Sequence, residues 1–301
     1  MANDIEEERF PGHPLLPYVL ILPSVAVIVV FLVVPFLQSV IGSFVRSTAF
    51  GTKTLYVGLD NYVRVLTSSD YHSSVVATLL FSGFVMVIGL TISLAVAHLL
   101  NQKIRGRGFY QVALIWTYAL SPAVAGAIWS LMFAPATGFV PFIVAELFGG
   151  YLLNWMMNGP LALLVVSIAA TWKMLGYNIV FFLAGLQNIP DEFVDSARVD
   201  GAGPWRTFWD ITFPMLSPTT TFLLFVNMIY AFFQVFGLID IMTHGGPGDA
   251  TNILIYKLYR DAFLYLDSGA ASAQSIIIFV VISMAAVVQL RFATRRAIYA
   301  R

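Results

Sequence analysis

The sequence predicts an all-α integral membrane protein with six transmembrane helices. Two observations carry that prediction. Hydrophobic residues make up 59% of the chain and charged residues 11%, well below the charged share of about 25% in soluble domains, and the mean hydropathy is +0.83. In addition, six stretches reach the run of about 20 mainly apolar residues that a hydrocarbon core roughly 30 Å thick requires. They fall near 17–42, 73–100, 110–134, 160–187, 218–242 and 272–290. One membrane domain is therefore expected over 17–290, between an N-terminal segment 1–16 and a basic tail 291–301.

Taken in order, the first fourteen residues, MANDIEEERFPGHP, are acidic and interrupted by proline. A cleaved signal peptide begins with a positive region, so this segment is expected to be retained. Prolines fall within the spans at Pro23, Pro35 and Pro122, where a missing N–H predicts kinks or breaks. Pro122 follows Ser121 and opens the small-residue run Ala123 to Ala127, which permits close helix contact. The 135–159 connection holds no Lys or Arg; it is apolar from Phe139 to Phe148 and carries Trp155 near its end. It is expected to lie along the outer surface.

Orientation follows from the basic residues. Arg9, then Lys103, Arg105 and Arg107, then Arg198 and Arg206, then Arg291, Arg295, Arg296 and Arg301 fall on one set of connections. Arg46, Lys53, Arg64, Lys257 and Arg260 fall on the other. The positive-inside rule places the richer set, both termini and the 188–217 segment in the cytoplasm.

That inward segment is the most informative in the chain. Residues 192–218 read EFVDSARVDGAGPWRTFWDITFPMLSP, too charged for lipid yet patterned as two short helices. Gly201-Ala202-Gly203 divides them, and Pro204 suits the first turn of the second, where its missing N–H costs nothing. Phe193, Val194, Ala197 and Val199, then Trp205, Phe208, Trp209 and Ile211, supply enough apolar surface to pack against a partner as well as against the spans.

Several classes of chemistry are excluded. With no cysteine, disulfides, zinc–thiolate sites and thiol catalysis are ruled out. The histidines His13, His72, His98 and His244 are scattered without i,i+4 pairing, so no metal site is expected. Neither a G-x-x-x-x-G-K-[ST] phosphate cradle nor a G-x-S-x-G nucleophile elbow occurs. A formal net charge of +0 gives no reason to expect nucleic-acid binding. The chain is not expected to be an enzyme, and any nucleotide hydrolysis must belong to another polypeptide.

The run from Asp195-Ser196-Ala197 through Asp200-Gly201-Ala202 to Ile211-Thr212-Phe213-Pro214 resembles the EAA motif of permease subunits from bacterial ABC importers. There the motif reads E-A-A, three residues, G, nine residues, then I-x-L-P, and the spacing here matches without a gap. Asp195 stands for Glu, Ser196 for the first Ala and Phe213 for Leu. The resemblance covers nearly the whole chain. Leu22-Pro23 with Phe31, Pro35 and Ser43-Phe44, then Gly58-Leu59-Asp60-Asn61-Tyr62, Leu186-Gln187-Asn188-Ile189-Pro190 and Thr243-His244-Gly245-Gly246-Pro247 resemble permeases of carbohydrate and polyol importers. Asp200 to Pro204, Val226 to Phe233 and Leu254 to Arg260 are most similar to the A-type permeases of sn-glycerol-3-phosphate importers.

The resemblance implies a type I importer permease fold in a bacterial inner membrane. It implies a second, homologous permease, an ATPase dimer holding the ATP and Mg that this chain lacks, and a periplasmic or lipid-anchored solute-binding protein. It also implies a solute such as glycerol-3-phosphate or a glycerophosphodiester. Residues 191–212 are then the element that seats in a groove of the ATPase. A neutral sugar or oligosaccharide is the alternative solute; a stand-alone secondary carrier or channel is the alternative class, with no clear acidic relay in the spans to favour it.

The solute path is sought among polar groups in the spans. An ionisable group there costs roughly 2.5–3.5 kcal/mol on insertion scales, so Lys173 requires an explanation. With Tyr177 and Asn178 it can border one cavity; a structural role for Lys173 stays open. Asn227, Tyr230 and Gln234 recur at spacings of three and four, and a cavity is favoured for them over hydrogen bonding between helices. Outside, Gly58 to Tyr62 and Thr243 to Pro247 read as tight turns, with Asp60 and Arg260 as candidate rim charges toward the binding protein.

Overall fold

The structure is a computed structural model and describes residues 15–47, 54–102, 105–148 and 154–297. The expectations for Arg9, His13, Lys53, Lys103, Arg301 and most of the segment 1–16 lie outside these residues.

Helix α1, Leu16–Ser43, is one uninterrupted 28-residue helix, and none of its most apolar stretch is buried within the chain. It runs on through Pro23. Before Pro35 it inserts a π turn, Val29–Val33, and Pro35 then falls at the start of the resumed α-helix, where a missing N–H is tolerated. The later half of α1 leans on the last helix of the chain: the Phe36 and Phe279 ring centroids are 5.0 Å apart.

A two-stranded antiparallel ribbon follows, β1 (Val45–Ser47) on β2 (Thr54–Tyr56), with Val45 opposite Tyr56. Helix α2, Asp60–Thr67, fastens it. The buried Asn61 amide donates to the Ser43 and Val45 carbonyls, each at 2.9 Å, and Tyr62 donates its hydroxyl to Ser43 Oγ at 2.7 Å. The Asn61-Tyr62 pair thus clamps the C-terminal end of the first span.

Helices α3 (Ser69–Asn101) and α7 (Gly159–Gln187) pack along each other at the centre of the molecule. Ser68 caps α3 by accepting from the Tyr71 amide, and Asn158 caps α7 by accepting from the Leu161 amide at 3.0 Å, each satisfying an otherwise orphaned donor. The third span breaks where Pro122 predicts: α4 (Arg107–Ala119) and α5 (Pro122–Met132) meet at 104°. Gly176 lets α4 cross α7, since a Cβ there would sit 2.3 Å from the Leu114 carbonyl oxygen. The small-residue run brings α5 against backbone: a Cβ on Gly126 would lie 3.1 Å from the Leu238 carbonyl.

Helix α6, Phe139–Leu147, lies in the connection expected along the outer surface. Trp155 corrects that expectation for its own part of the segment. It is 1% exposed and donates its indole N–H to the Phe133 carbonyl at 2.6 Å, so the end of this connection folds back into the core.

Beyond α7 come α8 (Asp191–Val199), α9 (Pro204–Met215) and α10 (Ser217–Gln234), the last two meeting at 64°. The fifth span, expected near 218–242, has its long helix end earlier. A π turn over Tyr230–Gln234 closes α10, and α11 (Phe236–Met242) is a separate short helix packed on α5. Helix α12, Leu254–Tyr259, continues as one π turn to Leu264, and α13, Ser268–Ala297, is the last. Among the described residues, four helices are long and apolar enough to cross a membrane, or up to six if each bent pair is one span.

Candidate translocation path and coupling hairpin

The hairpin is built by its cap. Gly201 has φ +81°; its N–H donates to the Arg198 carbonyl at 3.0 Å and the Ala202 N–H to the Ala197 carbonyl at 2.9 Å. This pair of bonds closes the C-terminus of α8 as a Schellman motif, which requires a left-handed residue where glycine sits. Pro204 then opens α9. Ala197 is buried while Asp195, Ser196, Asp200, Gly201 and Pro214 are exposed, with Ala202 and Ile211 between.

Both arginines of the hairpin are paired within it. Arg198 Nη1 lies 3.1 Å from Asp195 Oδ1, and Arg206 Nε lies 3.1 Å from Asp210 Oδ2. Two of its apolar side chains stand uncovered: Val199 is 87% exposed and Trp205 76%. The second helix is held to the end of α3 by Phe208, whose ring meets the His98 imidazole edge-on at 5.3 Å. The hairpin thus touches the end of α3 and is joined to α10 through the 64° bend at 215–217.

Within the spans, the path candidates divide into two groups. Asn178 and Asn227 are fully buried and bond each other in both directions, at 3.1 and 2.7 Å, and Asn227 also donates to the Leu223 carbonyl at 2.8 Å. For Asn227 this corrects the favoured cavity reading: its amide is spent joining α7 to α10. Gln234 is exposed at the end of the π turn, away from that pair. The π turn also breaks the i,i+3,i+4 stripe on which the three were grouped.

Lys173 and Tyr230 form the second group. The Lys173 ammonium lies 5.1 Å from the Tyr118 ring centroid and 5.7 Å from that of Tyr230, and the buried Tyr230 hydroxyl has no hydrogen-bond partner among the described residues. Tyr177, one turn after Lys173, places its ring 4.8 Å from Tyr118 and 4.6 Å from Phe181. Phe181 in turn meets Phe222 at 5.2 Å. The sequence gives Tyr118 little signal beyond an aromatic residue in the last turn before the Ser121-Pro122 break.

The candidate rim charges already have partners within the chain. Asp60 pairs with Arg46 at 2.5 Å, and Arg260 pairs with Asp249 and donates to the Tyr265 hydroxyl oxygen at 2.6 Å. Arg260 lines a cavity of about 620 Å³ with Asp240, His244, Asp249 and Tyr256. Burial next to Asp240, whose carboxylate accepts from the phenol at 3.3 Å, pushes Tyr256 up to about 12. The Thr243 to Pro247 turn is tied internally, Thr251 bonding both Thr243 Oγ1 and the Gly246 carbonyl at 2.7 Å.

Nearby, Arg64 grips Asp267 through both nitrogens, at 2.6 and 3.0 Å, and Asp267 caps α13 by accepting from the Ala270 amide at 3.1 Å. The Asp267 bond holds Arg64 above its ordinary value. Burial pushes the Asp267 carboxyl upward, but Arg64 and the Ala270 amide outweigh it and hold the group below the carboxylate range.

The family described as "Binding-protein-dependent transport system inner membrane component" matches residues 14–299. The chain belongs to this family. It is thus an inner-membrane permease component of an ABC importer, not an enzyme, and the carrier or channel alternative falls away. Among curated relatives, the chain is 40% identical over 295 residues to the sn-glycerol-3-phosphate transport system permease protein UgpA of Brucella suis biovar 1 (strain 1330), covering 98% of this chain and 100% of the relative. It is 41% identical over 290 residues to UgpA of Agrobacterium fabrum (strain C58 / ATCC 33970), covering 96% and 98%. UgpA of Yersinia pestis is 41% identical over 284 residues, covering 94% and 96%.

The fold of the inner-membrane component is matched by a crystal structure of a bacterial ABC transporter involved in import of the acidic polysaccharide alginate. The TM-score is 0.80 at 20% identity, covering 93% of this chain and 95% of that one. A second, of a bacterial alginate ABC transporter in complex with an alginate pentasaccharide-bound periplasmic protein, gives 0.77 at 22% identity, with 92% of each chain covered.

Proposed function

We propose that this chain is one of two permeases forming the membrane path of an importer for sn-glycerol-3-phosphate or glycerophosphodiesters. The observation that carries this reading is identity of 40–41% over nearly the full chain to permeases named for sn-glycerol-3-phosphate transport. ATP and Mg are held by a separate ATPase dimer, and solute arrives on a periplasmic or lipid-anchored binding protein. A neighbouring fold solved with its periplasmic protein supports that partner. Both termini and the hairpin face the cytoplasm, following the basic residues.

The hairpin α8–α9 is the contact to the ATPase. Its exposed Val199 and Trp205 sit beside a cap that fixes their relative placement. Closure of the ATPase dimer pulls the inner ends of α7 and α10 together, because a packed hairpin moves as a unit between discrete arrangements. Asp60 and Arg260 contact the binding protein through the pairs they already make, presenting the β1–β2 ribbon and the outer cavity as shaped surfaces rather than as free charges.

Uptake of labelled sn-glycerol-3-phosphate by proteoliposomes holding the complex co-purified on the tagged chain, with its binding protein, tests the reading. Uptake that requires ATP and is competed by glycerophosphodiesters is expected. A complex that ignores glycerol phosphate and takes up a neutral sugar would overturn the solute assignment.

A further inference from the structure

We propose that Lys173, held between the Tyr118 and Tyr230 rings, is the anion anchor of the translocation path and receives the phosphoryl group of a phosphoester solute. The inference rests on the solute class proposed above and adds to it the place where the charge is recognised.

A cation within a span must pair or face a polar cavity. Lys173 is 5% exposed, and among the described residues neither a carboxylate nor a hydrogen-bond acceptor reaches its ammonium; its contacts there are the two ring faces. Those faces attract the charge but accept none of its three N–H donors. The second of these rings carries a group that is equally unspent. The Tyr230 hydroxyl is buried and unpartnered, carried by a residue that the π turn Tyr230–Gln234 begins.

One ligand chemistry satisfies both. A phosphoryl group has three outward oxygens and a negative charge, so it accepts from the ammonium and the phenol together and cancels the buried charge. A neutral hydroxyl accepts one bond and leaves the charge uncompensated.

The surroundings fit a path rather than a sealed core. Tyr118 lies in the last turn of α4 and is 44% exposed, directly before the 104° break between α4 and α5. Ser121 at the break is exposed within this chain. Backbone that leaves the helix at membrane depth is tolerated where protein covers it or water lines it, not where lipid does. From Tyr118 the rings of Tyr177, Phe181 and Phe222 continue toward the hairpin end of α7, each within 5.2 Å of the next. Such a ladder offers apolar faces to a glycerol backbone while the phosphoryl group is held at Lys173.

The test is uptake of labelled sn-glycerol-3-phosphate by proteoliposomes containing the complete importer and its binding protein, for wild type, Lys173→Met, Lys173→Arg and Tyr230→Phe. Methionine is close to isosteric and better suited to lipid, so a merely structural lysine tolerates it. The anchor predicts that Lys173→Met lowers uptake about tenfold or more, with wild-type assembly and Tm. It predicts that Lys173→Arg keeps much of the activity and that Tyr230→Phe raises KM more than it changes kcat.

Wild-type uptake by Lys173→Met overturns the anchor and leaves the solute assignment standing. So does equal loss in Lys173→Met and Lys173→Arg accompanied by a fall in Tm, which marks a packing role. A wild-type complex that transports no glycerol phosphate retires the solute assignment, and the anchor with it.

Discussion

Gly201 offers a substitution whose cost can be separated into known parts. Its φ is +81°, and a Cβ built there meets nothing within 4 Å, so a side chain adds torsional strain and no collision. An L-residue in the left-handed region costs about 1–2 kcal/mol, with Asn paying least. Gly201→Pro goes further: the ring holds φ near −65° and removes the N–H that bonds the Arg198 carbonyl at 3.0 Å. That bond is itself worth about 0.5–1.5 kcal/mol.

If the ATPase binds the hairpin in this shape, the strain appears as lost affinity. A cost of about 1–2 kcal/mol corresponds to roughly five- to thirty-fold. We expect reassociation of purified ATPase with the stripped permease pair to weaken by that factor in Gly201→Ala and by more in Gly201→Val. Gly201→Asn should stay close to wild type. Gly201→Pro should abolish solute-stimulated transport without affecting membrane insertion. Ala and Val variants that bind within about twofold of wild type, or a Pro variant that transports, would refute the argument from backbone geometry.

Other expectations rest on single contacts. The reciprocal Asn178–Asn227 amide bonds should give a coupling of about 1 kcal/mol in a double-mutant cycle with leucine, since membrane hydrogen bonds average about 0.6 kcal/mol each; additive effects on unfolding in detergent would deny the pair. Gly176→Ala drives a Cβ to 2.3 Å from the Leu114 carbonyl and should destabilise by about 1–3 kcal/mol or more, read as a lowered Tm. The Asp267 carboxyl is held below its usual range, so its contribution is complete above the unfolded value of about 3.9 and is lost as pH falls through the depressed one. Thermal stability should therefore be flat from neutral pH to about 5 and fall in more acid solution, with a shallower acid limb in Asp267→Asn.

The membrane class, the approximate spans and the hairpin were legible in the chain because each rests on local physics. Hydropathy over about 20 residues needs no tertiary partner, and a Gly-Ala-Gly-Pro turn declares its own cap and restart. Pro122 announced the break in the third span for the same reason.

What the sequence could not decide was which polar groups spend their bonds on one another. Asn178 and Asn227 are 49 positions apart, and nothing local says that their amides meet, so Asn227 read as a cavity group. Trp155 looked like a surface aromatic until its indole was seen to reach the Phe133 carbonyl. Asp60 and Arg260 read as rim charges, and nothing local says that Arg46 and Asp249 pair with them. Lys173 shows both sides: its presence in an apolar span was visible as an anomaly, while the two rings that hold it come from α4 and α10. Spacing along one helix carries no information about the faces that two other helices present to it, and only their packing brings Tyr118 and Tyr230 to the same ammonium.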